Sequence, residues 1–253
     1  MPEALRARPL GPVVQAFFDA GSVPPRLAEV ACAMGMVVEP FEDDPACGRS
    51  PMLMLGPAEE YRMQSGLTVP FAGFVECEPE DDFDDGWLST DCLDAVRKGG
   101  LCLAMTTMSA YLMDIPALLV PPVAARFGIG SDAAGAIELA LAEAVANALL
   151  HGNLGIDSAL RNDMDQFEKF RATLLANLAD PQMGRRRMEI TALPSPEGLR
   201  ITVRDQGEGF DLGAQLAKPA EQEAKSGRGL GLIRKLCRAV EGRDGGRTLV
   251  MVF

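Results

Sequence analysis

Histidine is almost absent from this 253-residue chain, which has His151 alone. The six cysteines, Cys32, Cys47, Cys77, Cys92, Cys102 and Cys237, include no Cys-x-x-Cys pair. Together these leave little from which to build a zinc site, so the cysteines are expected to be free thiols. Basic residues are also scarce: 24 Lys and Arg against 36 Asp and Glu give a net charge of -12. Such a surface cannot neutralise phosphates over a broad face, which excludes general nucleic-acid binding. No uninterrupted apolar run approaches the roughly 20 residues of a membrane span. The first ten residues, MPEALRARPL, lack the apolar core of a secretory signal. A cytoplasmic protein with no membrane contact is expected.

What is present is globular in proportion, 47% apolar and 24% charged, and long enough for two domains. The first half alternates apolar runs (PVVQAFFDAG, VVEPF, PMLMLGP, FAGFVECEP) with helical stretches such as PPRLAEVACAMGM. Strands alternating with helices predict an α/β layer with parallel strands. EPEDDFDDGW, with six acids in ten residues, reads as a solvated loop before a helix from Ser89 to Lys98, with Ser89 or Thr90 as cap. A receiver domain of two-component signalling has such a layer, but a working receiver needs an acidic pair after its first strand, an aspartate after its third and a downstream lysine. Here Asp19 stands alone, Pro57 follows PMLMLG, and no lysine precedes Lys98. Residues 1–106 are therefore expected to be an α/β regulatory domain, a degenerate receiver at most.

In residues 107–253, AYLMDIP reads as an edge strand, and Pro121-Pro122 are placed at a helix start or in a turn, because a helix interior would lose bonds there. The clearest helix spans Ser131 to His151, capped by Ser131 or Asp132. EITALPS and LRITVRD form a predicted hairpin, and TLVMVF a last strand. DQFEKFRATLLANLAD reads as an amphipathic helix, and Arg185-Arg186-Arg187 as a basic patch for an acidic partner.

Three constellations carry the chemistry. Ile137, Leu141, Ala144, Val145 and Ala148 make one apolar stripe of the long helix, while Glu143, Asn147 and His151 recur at intervals of four on another face. Asparagine is a poor residue for a merely solvated helix interior. Next, LRITVRD runs into Asp205-Gln206-Gly207-Glu208-Gly209-Phe210. An acid at a strand end can accept a bond from a purine's exocyclic amine, and the glycines let backbone come close to a base. Finally, Ser226-Gly227-Arg228-Gly229-Leu230-Gly231-Leu232 precedes a helix containing Ile233, Leu236, Cys237 and Val240. Alternate glycines before a helix expose N–H groups at the positive end of its dipole, a phosphate cradle. The segment lacks the Gly-Lys-Ser/Thr ending of a P-loop and the βαβ setting of a Rossmann site.

In this order the three elements resemble the N box and the two glycine boxes of the GHKL ATPases, over roughly the last 145 residues. ELALAEAVANALLHGN is similar to the branch containing anti-sigma factors and related switch-protein serine kinases. The resemblance implies a two-layer α/β sandwich with a mixed sheet that binds ATP and Mg²⁺. It implies that Asn147 coordinates the metal, that Glu143 is the general base or orients the nucleophile, and that Asp205 reads adenine. Gly207 and Gly209 would shape the base pocket, Gly227, Gly229 and Gly231 would wrap the phosphates, and Arg228 would add charge near the γ-phosphate. Residues 211–225 fall where such domains carry a lid. A histidine autokinase needs an acceptor histidine on an upstream helix, and His151 lies within the N box instead. Two functions are expected from the resemblance. One is a serine/threonine kinase that phosphorylates an antagonist protein and sequesters a sigma factor or analogous regulator. The other is a non-catalytic ATP-binding module controlled by the amino-terminal half. A homodimer is favoured in either.

Overall fold

The computed structural model describes residues 12–41, 50–81, 83–84, 87–156, 167–209 and 228–253. The chain divides into two compact units, Met1–Cys102 and Leu103–Phe253.

Apolar runs make the strands of the first unit. β1 (Val14–Phe18), β3 (Met52–Gly56) and β4 (Phe71–Glu76) are buried along almost their whole length, as parallel strands are when helices cover both faces. β1 pairs in parallel with β2 (Met36–Pro40) and with β3, and β3 pairs in parallel with β4. This gives the order β2-β1-β3-β4, and β5 (Leu101–Thr106) follows in sequence, across the boundary between the units. The connecting helices are α1 (Pro25–Ala33), α2 (Glu60–Leu67) and α3 (Thr90–Arg97). Ser89 caps α3 as expected, its hydroxyl accepting the Cys92 N–H at 3.4 Å. The acidic segment before it is more than a solvated loop. Phe83 and Trp87 are buried there and pack edge to face with centroids 5.4 Å apart, so its aromatic residues tie it to the core.

This strand order is a common doubly wound arrangement, and its crevice lies at the carboxyl ends of β1 and β3. Asp19 stands there, held by Arg62 of α2 with Nε 2.8 Å from Oδ2. The lone acid is thus paired with a base, and Pro57 occupies the position after β3.

In the second unit local capping overrides one sequence expectation and burial another. Instead of an edge strand, Tyr111 and Leu112 end a short helix, α4 (Thr107–Leu112), started by Thr106, whose hydroxyl accepts the Ser109 N–H at 3.2 Å. α5 (Ile115–Phe127) then runs through Pro121 and Pro122. Each interior proline costs about 3 kcal/mol, but Leu118, Leu119, Val120 and Val123 are buried around them, each contributing about 2 kcal/mol. Burial offsets the lost backbone bonds.

α6 (Ser131–Asn147) buries Ile137, Ala140, Leu141, Ala144 and Val145 and is flanked by α5 and α9 (Arg228–Leu236). Gly130, rather than Ser131 or Asp132, occupies its cap position. After Asn147 the helix widens into a π-helical turn, Ala148–Asn153, in which Leu154 N–H donates to the Leu149 carbonyl at 3.0 Å. Together they form 23 residues of helix, long and apolar enough by composition to cross a membrane, although Glu138 and Glu143 interrupt its apolar run. The buried stripe makes this the core helix of its unit.

β6 (Arg187–Ser195) and β7 (Gly198–Arg204) form the expected hairpin. β9 (Thr248–Val252) adds to β7, and β8 (Ala239–Arg243) to β9, all antiparallel in the order β6-β7-β9-β8. Helix and sheet layers together make the α/β sandwich that was anticipated. Val240, assigned to a helix from sequence, lies in β8 opposite Met251; the Arg238 N–H bond to the Val252 carbonyl, 2.7 Å, draws the chain into the sheet just after α9 ends. α7 (Phe167–Ala179) forms as predicted, followed by α8 (Pro181–Gly184). The arginine triplet is no continuous patch. Arg185 is exposed, Arg186 half-buried and Arg187, in β6, buried, because strand alternation and site contacts claim the last two.

Candidate functional site

Glu143 and Asn147 lie one turn apart on α6, both half-buried. Gly229, in the first turn of α9, approaches them so closely that a Cβ there would lie 2.5 Å from Glu143 Oε2 and 3.6 Å from Asn147 Nδ2. Only glycine lets the start of this helix come so near the carboxylate. The first N–H groups of a helix have no intrahelical acceptor, so the N-terminal turn of α9 presents donors beside an acid and an amide. Asn147 Nδ2 is buried with no partner among the described residues. A buried amide left unsatisfied is costly unless something else completes it, and turning the amide over presents its oxygen in the same place.

The second convergence lies one turn further along the helix, at the π-helical turn. Asp205, just past β7, is buried at 7% exposure. Its Oδ1 accepts the Gly207 N–H at 2.8 Å. The turn after α6 packs directly on it, since a Cβ on Gly152 would lie 2.5–2.7 Å from the carboxylate carbon and both oxygens. Gly207 in turn abuts the Gly152 carbonyl. Burial pushes Asp205 up to about 6, against the Gly207 bond and the positive charges of Arg247, Arg186 and Arg204.

The sequence-predicted residues therefore form two neighbouring groups joined by one helix. Glu143, Asn147 and Gly229 meet along the last turns of α6, and Asp205 and Gly207 meet the π-helical turn that follows it. At Gly209, where φ is +80, an added Cβ would run into the Gly245 carbonyl and lie 3.1 Å from Arg247 Cγ. Arg228 opens α9, and Gly231 lies within that helix, so these glycines form its first turns instead of a loop before it. Gly227, like the expected lid over 211–225, lies outside the described residues. His151 lies in the π-helical turn, where Nδ1–H donates to the Ile156 carbonyl at 2.6 Å.

Residues that the sequence did not single out complete the site. Gly152 and Asn153 reach the Asp205 loop because the π turn directs them there, and Gln206 Oε1 accepts the Arg187 N–H at 2.7 Å. A small residue followed by asparagine at a helix end was the only visible signal.

Among the described residues no group of three His, Cys, Asp or Glu side chains converges to hold a metal ion. The donor set at Asn147 and Glu143 instead suits a cation that brings most of its ligands with it as phosphate oxygens and waters, the habit of Mg²⁺. The orphaned Asn147 amide fits that role.

The pH dependence of Asp205 is testable without ligand. Its folded value of about 6 exceeds the ordinary 3.9 or so of an unfolded chain. Between these pH values the native state binds more protons, so the group's contribution to stability is full below about pH 4 and is lost as pH rises through about 6. The loss is on the order of 3 kcal/mol. Asp205→Asn is expected to be more stable than wild type to urea at pH 8 and to lose that advantage at pH 4. A stability difference that does not change with pH would show that Asp205 titrates normally.

No curated protein matches the chain. Residues 119–253 match the histidine kinase-like ATPase domain, a span that holds α6, both convergent groups and the whole antiparallel sheet. The chain therefore belongs to the histidine kinase-like ATPase domain family, a membership that brings ATP binding with it.

Proposed function

We propose that this protein is an ATP- and Mg²⁺-dependent signalling regulator that phosphorylates a serine or threonine of an antagonist protein, in the manner of the anti-sigma switch kinases. The observation that carries the reading is the Glu143 carboxylate against the first turn of α9, with Asn147 one turn away. Helix N-termini bind phosphate through their N–H groups and dipole, so the γ-phosphate lies beside an acid able to take a proton. Glu143 accepts the proton of the acceptor hydroxyl, the hydroxyl oxygen bonds to the γ-phosphorus, the bond to the bridging oxygen breaks, and ADP leaves. Asn147 would hold Mg²⁺, which would supply positive charge against that of the transferred group. Asp205 accepts a hydrogen bond from the adenine amine, and Gly207 and Gly209 shape the pocket around it.

A histidine acceptor does not suit this chain, because its one histidine, His151, sits inside the site helix with a ring N–H committed to Ile156. The partner is a protein in this proposal: the unphosphorylated antagonist or, in its absence, a sigma factor or analogous regulator. The protein acts in the cytoplasm as a dimer, with the amino-terminal unit controlling the ATP site.

Calorimetric titration with ATP, with and without Mg²⁺, tests the reading. Saturable binding that tightens with Mg²⁺ is expected. Binding indifferent to Mg²⁺ would remove Asn147 from metal duty and favour a module that uses nucleotide without turnover.

A further inference from the structure

Asn153 is completely buried, and each end of its amide is occupied. Oδ1 accepts the Gln206 N–H at 2.7 Å. Nδ2 donates to Thr107 Oγ1 at 2.8 Å and to the Arg187 carbonyl at 3.1 Å. The orientation is not arbitrary. The Thr107 hydroxyl commits its proton to the Arg186 carbonyl, 2.8 Å away, so it meets Asn153 as an acceptor and the nitrogen must face it. Arg186 Nη1 donates back to the Asn153 carbonyl at 2.6 Å.

The bond to Gln206 falls between Asp205 and Gly207. On one side Gly152 walls the Asp205 carboxylate, and on the other Asn153 fixes the backbone that carries it. The position needs one acceptor and two donors in a neutral group, which asparagine alone supplies at this size. Aspartate would turn acceptors toward the Arg187 carbonyl, and leucine would leave the Gln206 N–H and the Arg187 carbonyl without their buried partner.

We infer that Asn153 is a positioning residue for nucleobase selection: by holding the Asp205–Gly207 backbone it fixes where the Asp205 carboxylate meets the base, and so sets the preference for adenine over guanine. The inference rests on the reading of Asp205 as the base-recognising residue. A carboxylate at a fixed point accepts from the amine of adenine and repels the carbonyl oxygen that guanine carries in the same place. A carboxylate free to move does both less well. The phosphate contacts at α9 face Glu143 and Asn147, on the turns before Asn153, and none of the Asn153 side-chain bonds reaches that group.

The test is calorimetric titration of the full chain with ATP and with GTP for wild type, Asn153→Leu, Thr107→Val and Asp205→Asn, below the unfolding temperature of each. The readout is the ratio of the two affinities. Asn153→Leu is expected to lower the preference for ATP at least tenfold while GTP binding changes by less than threefold. Thr107→Val, which removes the acceptor for Nδ2 together with the hydroxyl's own bond to the Arg186 carbonyl, is expected to lower it in the same direction by a smaller factor, and it decides the matter if Asn153→Leu does not fold. Equal weakening of both nucleotides, with the ratio kept, is what a merely structural asparagine gives and overturns the inference. Asp205→Asn separates the two failures. If it abolishes the preference while Asn153→Leu and Thr107→Val preserve it, Asn153 is not the positioning residue. If it leaves the preference intact, the reading of Asp205 falls and the inference with it.

Discussion

Glu143→Gln is expected to retain ATP affinity and to lose about 10²- to 10⁴-fold in phosphoryl transfer, the usual share of a general base. Glutamine is chosen because it keeps the shape of the side chain against which Gly229 packs; alanine would open a gap there and confuse chemistry with packing. Asn147→Ala is expected to behave in the opposite way. Its affinity for ATP should fall about tenfold with Mg²⁺ present and change little without it, because the lost group is a metal ligand and not a phosphate donor. Titration of both variants with and without Mg²⁺, beside a single-turnover assay, checks the division. If both lose ATP binding equally, Glu143 is part of the binding surface and no catalytic role for it stands.

Gly152→Ala is expected to be as damaging without removing any group that touches nucleotide. The added methyl would lie 2.5–2.7 Å from the Asp205 carboxylate, well inside van der Waals contact. The carboxylate has little room to retreat, since it is buried and tied to the Gly207 N–H at 2.8 Å. Overpacking of this kind costs about 1–3 kcal/mol of stability, and displacement of the base-reading group is expected to weaken ATP binding about 100-fold, equivalent to about 3 kcal/mol. Urea unfolding and ATP titration read the two effects separately. Gly152→Ala combined with Asp205→Ser should recover stability and leave binding weak. Wild-type ATP affinity in Gly152→Ala would mean that Asp205 moves freely, and the account of a walled carboxylate would be wrong.

The parts legible in the sequence are those where one residue's chemistry suffices. Continuous runs such as MLMLG and FAGFVE are strands in the structure, because they are too short for a buried helix and are bounded by glycine and proline. The glycines near Asp205 signalled close approach, and Gly207 does abut the Gly152 carbonyl. What escaped depends on neighbours distant in sequence. Pro121 and Pro122 sit inside α5 because buried side chains around them outweigh lost backbone bonds. Val240 follows a helical stripe in sequence, yet pairing with Met251 claims it for β8. Asn153 resembles a residue at a helix end until Thr107 and Gln206, 46 and 53 positions away, are brought to it.

The π-helical turn Ala148–Asn153 has a further consequence for how this helix tolerates change. A π turn holds one residue more than an α turn of the same height, so Glu143 and Asn147 follow one angular register and Gly152 and Asn153 another. Removing a single residue between 148 and 151 would restore an ideal helix with all its backbone bonds, and would rotate Gly152 and Asn153 by roughly 100° away from the Asp205 loop. The better helix would be the poorer site. Length in this segment is therefore constrained as tightly as residue identity, and a six-residue turn has to be kept as a six-residue turn.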